Sequence, residues 1–245
     1  MTLSACLTVL AGSLLGGFVS GLAGFGTALV TLGIWLYVIP PTLAAPLVAL
    51  CSVVAQTQTL RTVWHAIDIR YAWPMLVTGV LGVPVGVALL PHADPHLFRA
   101  GVGLLLVIFS TWLLFGRPMA IGWGGRPADA VIGACGGILG GLAGLSGALP
   151  TLWATMRGWS KDRRRGLFQI YNLVVLATAF AAQLADGLVT WSILPLAAAA
   201  LPGTMFGAWV GARAYLRLSD RHFHRIILML LGLSGLSLVW TNLLH

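Results

Sequence analysis

Apolar residues run along this chain in long blocks separated by short polar gaps. An α-helix needs roughly twenty such residues to cross a bilayer. Eight blocks are predicted as spanning helices: Leu3 to Ala23, Thr42 to Leu60, Tyr71 to Leu90, Leu97 to Phe115, Asp129 to Ala143, Leu167 to Ala185, Trp191 to Ala212 and Phe223 to Leu244. Two shorter apolar pieces follow the first and fifth blocks: Thr27 to Ile39, which stops at Pro40-Pro41, and Ala148 to Met156. A 12-residue helix reaches only about 18 Å. These pieces are therefore read as half-helices, either re-entrant or continuing the helix before them.

A glycine-rich stretch joins each short piece to its predecessor, and it occurs twice. Gly16-Gly17-Phe18-Val19-Ser20-Gly21-Leu22-Ala23-Gly24-Phe25-Gly26-Thr27 is matched 120 residues later by Gly136-Gly137-Ile138-Leu139-Gly140-Gly141-Leu142-Ala143-Gly144-Leu145-Ser146-Gly147. At an offset of 121, Pro74 matches Pro195, Gly82 matches Gly203 and Gly86 matches Gly207. The expected organisation is an all-α polytopic membrane protein of two tandem four-helix repeats, each with a Gly-broken first helix and a short half-helix. The first repeat covers residues 1–116, a polar linker 117–127, and the second repeat 128–245. Four crossings per half predict two halves in one orientation, related by an axis along the membrane normal.

Composition agrees with the pattern: 58% of residues are hydrophobic and 8% charged, against about 25% charged in a soluble domain. The net charge of +8 raises the question of nucleic acid. The charges fall in the gaps between apolar blocks, so membrane topology explains them and no nucleic-acid partner is expected. With the basic run Lys161 to Arg165 and the group Arg213, Arg217, Arg221 and Arg225 cytoplasmic, Arg61, Arg70, Arg117 and Arg126 fall outside, and both termini are extracytoplasmic. No basic residue precedes the first block, which is read as a retained helix and not a signal peptide. Cys6, Cys51 and Cys135 are far apart and read as apolar packing residues.

Glycine weakens a helix, and a helix that restarts after a break presents free N–H groups and a partial positive charge. Such an end binds anions without a charged side chain. The candidate substrate-binding residues are accordingly Gly24, Phe25, Gly26 and Thr27 at the first break and Gly144, Leu145, Ser146 and Gly147 at the second. Gln56 and Asn172 are candidate polar lining, and Arg61 a candidate vestibule residue. The competing reading is that the glycines only let helices approach closely. Buried carboxylates usually mark ion coupling, and no acid sits deep in an apolar block. His92 with His96, and His222 with His224, are read as solvated loop residues, so neither metal nor cofactor is expected. Gly144-Leu145-Ser146-Gly147 also matches the Gly-x-Ser-Gly of intramembrane serine proteases. Such an enzyme needs a histidine beside the serine, and none lies in the interior of an apolar block, His222 and His224 standing at the start of the last one.

The repeated Gly-Leu-Ala-Gly core resembles the signature of the TauE/SafE sulfite exporter family. So do Ile67-Asp68-Ile69-Arg70 at the third block, its counterpart Val189-Thr190-Trp191-Ser192, and Gly211-Ala212-Arg213 before a basic loop. The resemblance implies a multi-pass protein of the bacterial inner membrane that moves sulfite, organosulfonates or related small anions, often outward. A secondary transporter working by alternating access is the expected function, with a passive anion channel or an uptake permease as alternatives. Its partners would be a small anion and the lipid bilayer, and a homodimer is compatible with this reading. Where the first motif has Gly26-Thr27 the second has Ser146-Gly147, a departure that bears on the substrate.

Overall fold

The computed structural model describes residues 3–115, 124–159 and 161–215. The eighth predicted block, with His222 and His224, and most of the linker lie outside them. The described residues form nine α-helices: α1 (Leu3–Ala23), α2 (Thr27–Trp35), α3 (Pro41–Val63), α4 (Ile69–Leu89), α5 (Pro95–Phe115), α6 (Gly125–Ala143), α7 (Ala148–Met156), α8 (Lys161–Ala185) and α9 (Ile193–Tyr215). Five of the described helices are long and apolar enough to cross a membrane: Ser4–Ala23, Pro41–Val63, Ile69–His92, Arg163–Ala185 and Ile193–Tyr215.

Local chemistry sets several ends. Pro41 stands in the first turn of α3, where a missing N–H costs nothing. Asp68 caps α4 by accepting from the Arg70 amide at 3.0 Å. Asp94 caps α5 by accepting from the amides of His96 and Leu97 at 2.8 and 3.0 Å, bonds that hold its carboxyl below the usual carboxylate range. Helix α8 begins at Lys161, six residues before the predicted block, so the basic run is helical and not loop. Lysine and arginine are good helix formers, and hydropathy alone hides such a start. On α4, Val77, Leu81, Val85 and Leu89 are all exposed. Spaced four apart, they make an apolar stripe that suits lipid.

Helix α2 turns back along α1. Gly16 lies against Thr27 and Thr31, Gly12 against Trp35, and the Trp35 indole donates to the Val9 carbonyl at 3.1 Å. Helix α7 does the same along α6: Gly140 lies against Ser146, Gly136 against Pro150 and Gly124 against Trp153, whose indole donates to Asp129 Oδ1 at 2.7 Å. Each glycine break is thus the tip of a helical hairpin that enters and leaves at the same end of the bundle.

This changes the expected phasing. Helices α4 and α6 run parallel, with Met75 beside Gly133, Gly79 beside Gly137 and Val83 beside Gly141. Helices α1 and α9 run parallel too, with Thr204 beside Gly17 and Ala208 beside Gly21. Helix α3 runs against α6 and α8: its Thr59 meets Gln169 near the start of α8, while its Val48 meets Gly144 beyond the end of α6. The two hairpins therefore enter from opposite ends of the bundle. The expectation of equally oriented halves does not hold, because α2 returns along α1 and leaves three net traverses, α3, α4 and α5, between the two hairpins.

The register differs from the sequence match by one turn. Gly82 lies on Ala134 and Ile138, while Gly207 lies on Leu14 and Phe18. Residue 207 follows 82 by 125 positions, where residue 134 follows 14 by 120. The prolines and glycines aligned at 121 are therefore not spatial equivalents.

At these crossings the backbones touch. A Cβ on Gly137 would collide with the Gly79 carbonyl, whereas Gly101 on α5 has nothing within 4 Å. Gly137→Ala is expected to cost about 1–3 kcal/mol through overpacking. Gly101→Ala should be neutral or stabilising by up to about 1 kcal/mol. Thermal shifts of the purified variants in detergent check both.

The basic residues gather at one end. Arg163 stacks over Tyr71 at 3.5 Å, joining the starts of α8 and α4. Arg165 stacks over Tyr215 at 3.6 Å, joining the start of α8 to the end of α9. Arg61, Arg70, Arg126, Arg157, the Lys161–Arg165 run and Arg213 all belong to this end, and among the described residues Arg99 stands at the other. The predicted split, with Arg61, Arg70 and Arg126 opposite the Lys161–Arg165 run, is corrected by the same re-phasing.

Candidate functional site

Both hairpin tips are glycine elbows in the left-handed region. Gly24 has φ +78° and Gly26 φ +96°, and α2 restarts directly after them. Gly144, at φ +69°, ends α6: its amide donates to the Gly140 carbonyl at 2.8 Å, and the Leu145 amide reaches back to the Leu139 carbonyl at 3.1 Å. An L side chain at such angles costs about 1–2 kcal/mol, which is why glycine occupies these positions.

The tips meet. Gly147 lies against the Phe25 Cβ, and Gly144 against Val48 and Ala28. Phe25 in turn packs edge-on against Phe168 of α8, with ring centroids 5.5 Å apart.

Amide side chains from α3 and α8 hold the first elbow. Gln56 Nε2 donates to the Gly24 carbonyl at 2.9 Å, and Asn172 Nδ2 donates to the same oxygen at 3.2 Å. A carbonyl only accepts, so both amides are fixed with nitrogen toward Gly24. Asn172 Oδ1 then accepts from Ser146 Oγ at 2.6 Å, tying the second elbow to the first. Gln169 Nε2 donates to the Gln56 carbonyl at 2.6 Å and to Thr59 Oγ1 at 2.8 Å, bracing α8 on α3.

Between the tips lies a narrow cavity with room for about one water-sized molecule as the tips stand. Phe25 to Leu29 form one wall, and Gly144, Leu145, Gly147 and Ala148 the opposite wall. Ser52 and Gln56 of α3 face Asn172 and Leu176 of α8 across it. Ser52 and Asn172 are 120 residues apart, as are Gln56 and Leu176, the same interval that separates the elbows. Thr27, Ser52 and Gln56 are at most 2% exposed. Thr27 Oγ1, Ser52 Oγ and Gln56 Oε1 have no hydrogen-bond partner. Three buried oxygens left unpaired around one cavity would each cost about 1–3 kcal/mol, unless something in the cavity pairs with them.

Of the residues proposed from sequence, Phe25, Gly26, Thr27, Gly144, Leu145, Gly147, Gln56 and Asn172 line this cavity. Gly24 and Ser146 stand behind the wall and supply the groups that orient Gln56 and Asn172. Ser146 is fully buried, with its hydroxyl engaged by an amide oxygen and not by a base. Arg61 is exposed in the last turn of α3 and does not line the cavity.

Three residues escaped the sequence reading. Ser52 lies four before Gln56, so the shared helix face was available as a signal. Arg165, read as a surface topology determinant, is only 3% exposed. It donates to the carbonyls of Leu22 and Gly21, the latter at 2.8 Å, and so caps the end of α1 just before the elbow. Asp129 is 7% exposed and holds the Trp153 indole, although it sits at the polar start of its block.

A family model described as "Sulfite exporter TauE/SafE" matches residues 9–238. No curated protein and no solved structure matches the chain.

Proposed function

Since the chain belongs to the TauE/SafE sulfite exporter family, a family of membrane transporters and not of enzymes, we propose that it is a secondary carrier of small sulfur-containing oxyanions such as sulfite or organosulfonates. The chain is a multi-pass membrane protein. The observation that carries the substrate reading is the cavity between the two hairpin tips, with its three buried, unpartnered oxygens. Helix α2 aims its first turn at that cavity, adding free N–H groups and the positive end of a helix dipole. The lining contains no charged side chain, so an anion is held by dipoles and can leave again.

We read the two halves as an inverted repeat, residues 1–116 and 128–245, joined by the linker 117–127. With the eighth predicted block included, six of the eight predicted blocks traverse the membrane, and the other two, α1 and α6, enter it as the long arms of returning hairpins. The halves join through two equivalent contacts, α1 of the first half on α9 of the second and α6 of the second half on α4 of the first. Inverted halves around a central site are the usual basis of alternating access, in which one half rocks against the other. By the positive-inside rule the basic end of the bundle is cytoplasmic. The N-terminus, at the opposite end, is then extracytoplasmic, as is the C-terminus after one more crossing. Such a protein belongs in the bacterial inner membrane.

The test is flux in proteoliposomes. Trapped unlabelled sulfite should accelerate uptake of labelled sulfite, and uptake should saturate, as a carrier requires. Conductance that rises linearly with the gradient and shows no counterflow would assign the passive channel instead.

A further inference from the structure

The cavity holds one group that a simple anion site would exclude. The Gln56 amide is fixed with Nε2 on the Gly24 carbonyl, which makes Oε1 the atom left without a partner. A carboxamide oxygen can only accept a hydrogen bond. It carries partial negative charge, so a bare oxyanion brought against it is repelled. Thr27 and Ser52, by contrast, have hydroxyls able to donate. Together with the amides at the start of α2, they form a set of donors with one acceptor among them.

We propose that this site selects singly charged oxyanions that still carry an acidic hydroxyl, hydrogensulfite over sulfite, with Gln56 Oε1 accepting the substrate's proton-bearing O–H. The proposal rests on the reading of the cavity as the anion site. No titratable side chain lines the cavity, so its own charge does not change with pH. In the surrounding helices, Tyr171 spends its hydroxyl on the Gly133 carbonyl at 2.7 Å. Arg165 is turned to the α1 carbonyls, Asp129 is held at the far end of α6 by Trp153, and Cys51 lies beside Ser52 outside the lining. A dianion would leave Gln56 Oε1 facing a lone pair, while a monoanion bearing an O–H offers it a donor. Sites built around a substrate hydroxyl reject analogues that lack it far more strongly than apolar pockets reject a missing methylene.

Binding of sulfite and of methanesulfonate to the purified full-length protein, by calorimetry across the second dissociation of sulfurous acid, tests this. Sulfite affinity should follow the hydrogensulfite fraction and fall about tenfold per pH unit above that dissociation. Methanesulfonate is singly charged but has no proton to give. It should bind at least about tenfold more weakly at the acidic end, with no pH dependence. A flat sulfite profile, parallel profiles for the two anions, or equal affinity at the acidic end would each overturn the proposal. Gln56→Met should abolish the preference between the anions, and the wild-type comparison decides the matter if that variant does not fold. Thr27→Val with Ser52→Ala separates the two levels of argument. Weaker binding of both anions supports the cavity as the site, whatever the pH profile shows, and unchanged binding of both removes the cavity itself.

Discussion

Gly144→Leu is expected to reduce sulfite flux in proteoliposomes to the level of empty vesicles. Two independent costs meet at this position. The φ of +69° disfavours any L side chain by about 1–2 kcal/mol. The first carbon of that side chain would stand 2.7 Å from Val48 Cγ1 and 3.6 Å from Ala28 Cβ, so the rest of a leucine must push into the cavity or part the hairpin tips. Overpacking of this kind costs about 1–3 kcal/mol more, and here it falls on the surface where the two hairpins meet. The apolar blocks that drive insertion are untouched, so the variant should still reach the membrane in wild-type amount. Gly187→Leu is the control. Gly187 has φ +71° but nothing within 4 Å of an added Cβ, so it carries the strain without the obstruction and should keep most of the flux. Wild-type flux in Gly144→Leu, or equal loss in both variants, would show that the elbow does not border the transport path.

The reason the elbows could be found in the chain is that glycine has few other uses at such density inside an apolar block. Gly24, Gly26 and Gly144 take backbone angles that the sequence pattern anticipates. The direction of the chain after each elbow was not legible, because hydropathy records how long a segment is and not which way it runs. That one unknown propagated. Once α2 is seen to return along α1, the relative orientation of the halves changes, and Arg61, Arg70 and Arg126 join the Lys161–Arg165 run at one end. The offset error had a similar origin. Pro74 aligns with Pro195 by letter, whereas the contacts of Gly82 and Gly207 depend on where each helix starts along its neighbour. Arg165 was hidden for a further reason. A run of basic residues reads as solvated, and nothing in its composition says that its last residue faces inward.

The second large effect is expected at that residue. Arg165→Met should lower the thermal stability of the purified protein by several degrees and abolish flux. The guanidinium donates to the carbonyls of Leu22 and Gly21, two of the last groups of α1, which have no partner within their own helix. These carbonyls also carry the negative end of the α1 dipole, which a cation stabilises. Methionine fills the volume but leaves both oxygens buried and unpaired, at about 1–3 kcal/mol each. Stacking on Tyr215 at 3.6 Å would be lost with it, freeing the end of α9. Arg165→Lys should recover only part of the stability, because one ammonium cannot reproduce the planar fork that spans two carbonyls. Arg163→Met separates this role from membrane topology. Arg163 stacks on Tyr71 and Trp159 and belongs to the same basic run, yet it is only partly buried, so its loss should cost about 1 kcal/mol or less. Hydrogen exchange gives the discriminating readout: in Arg165→Met the amides around Gly24 should exchange faster, while those around Gly144 keep their protection. If both elbows keep wild-type protection and flux persists, the buried guanidinium is not what holds the first hairpin tip in place.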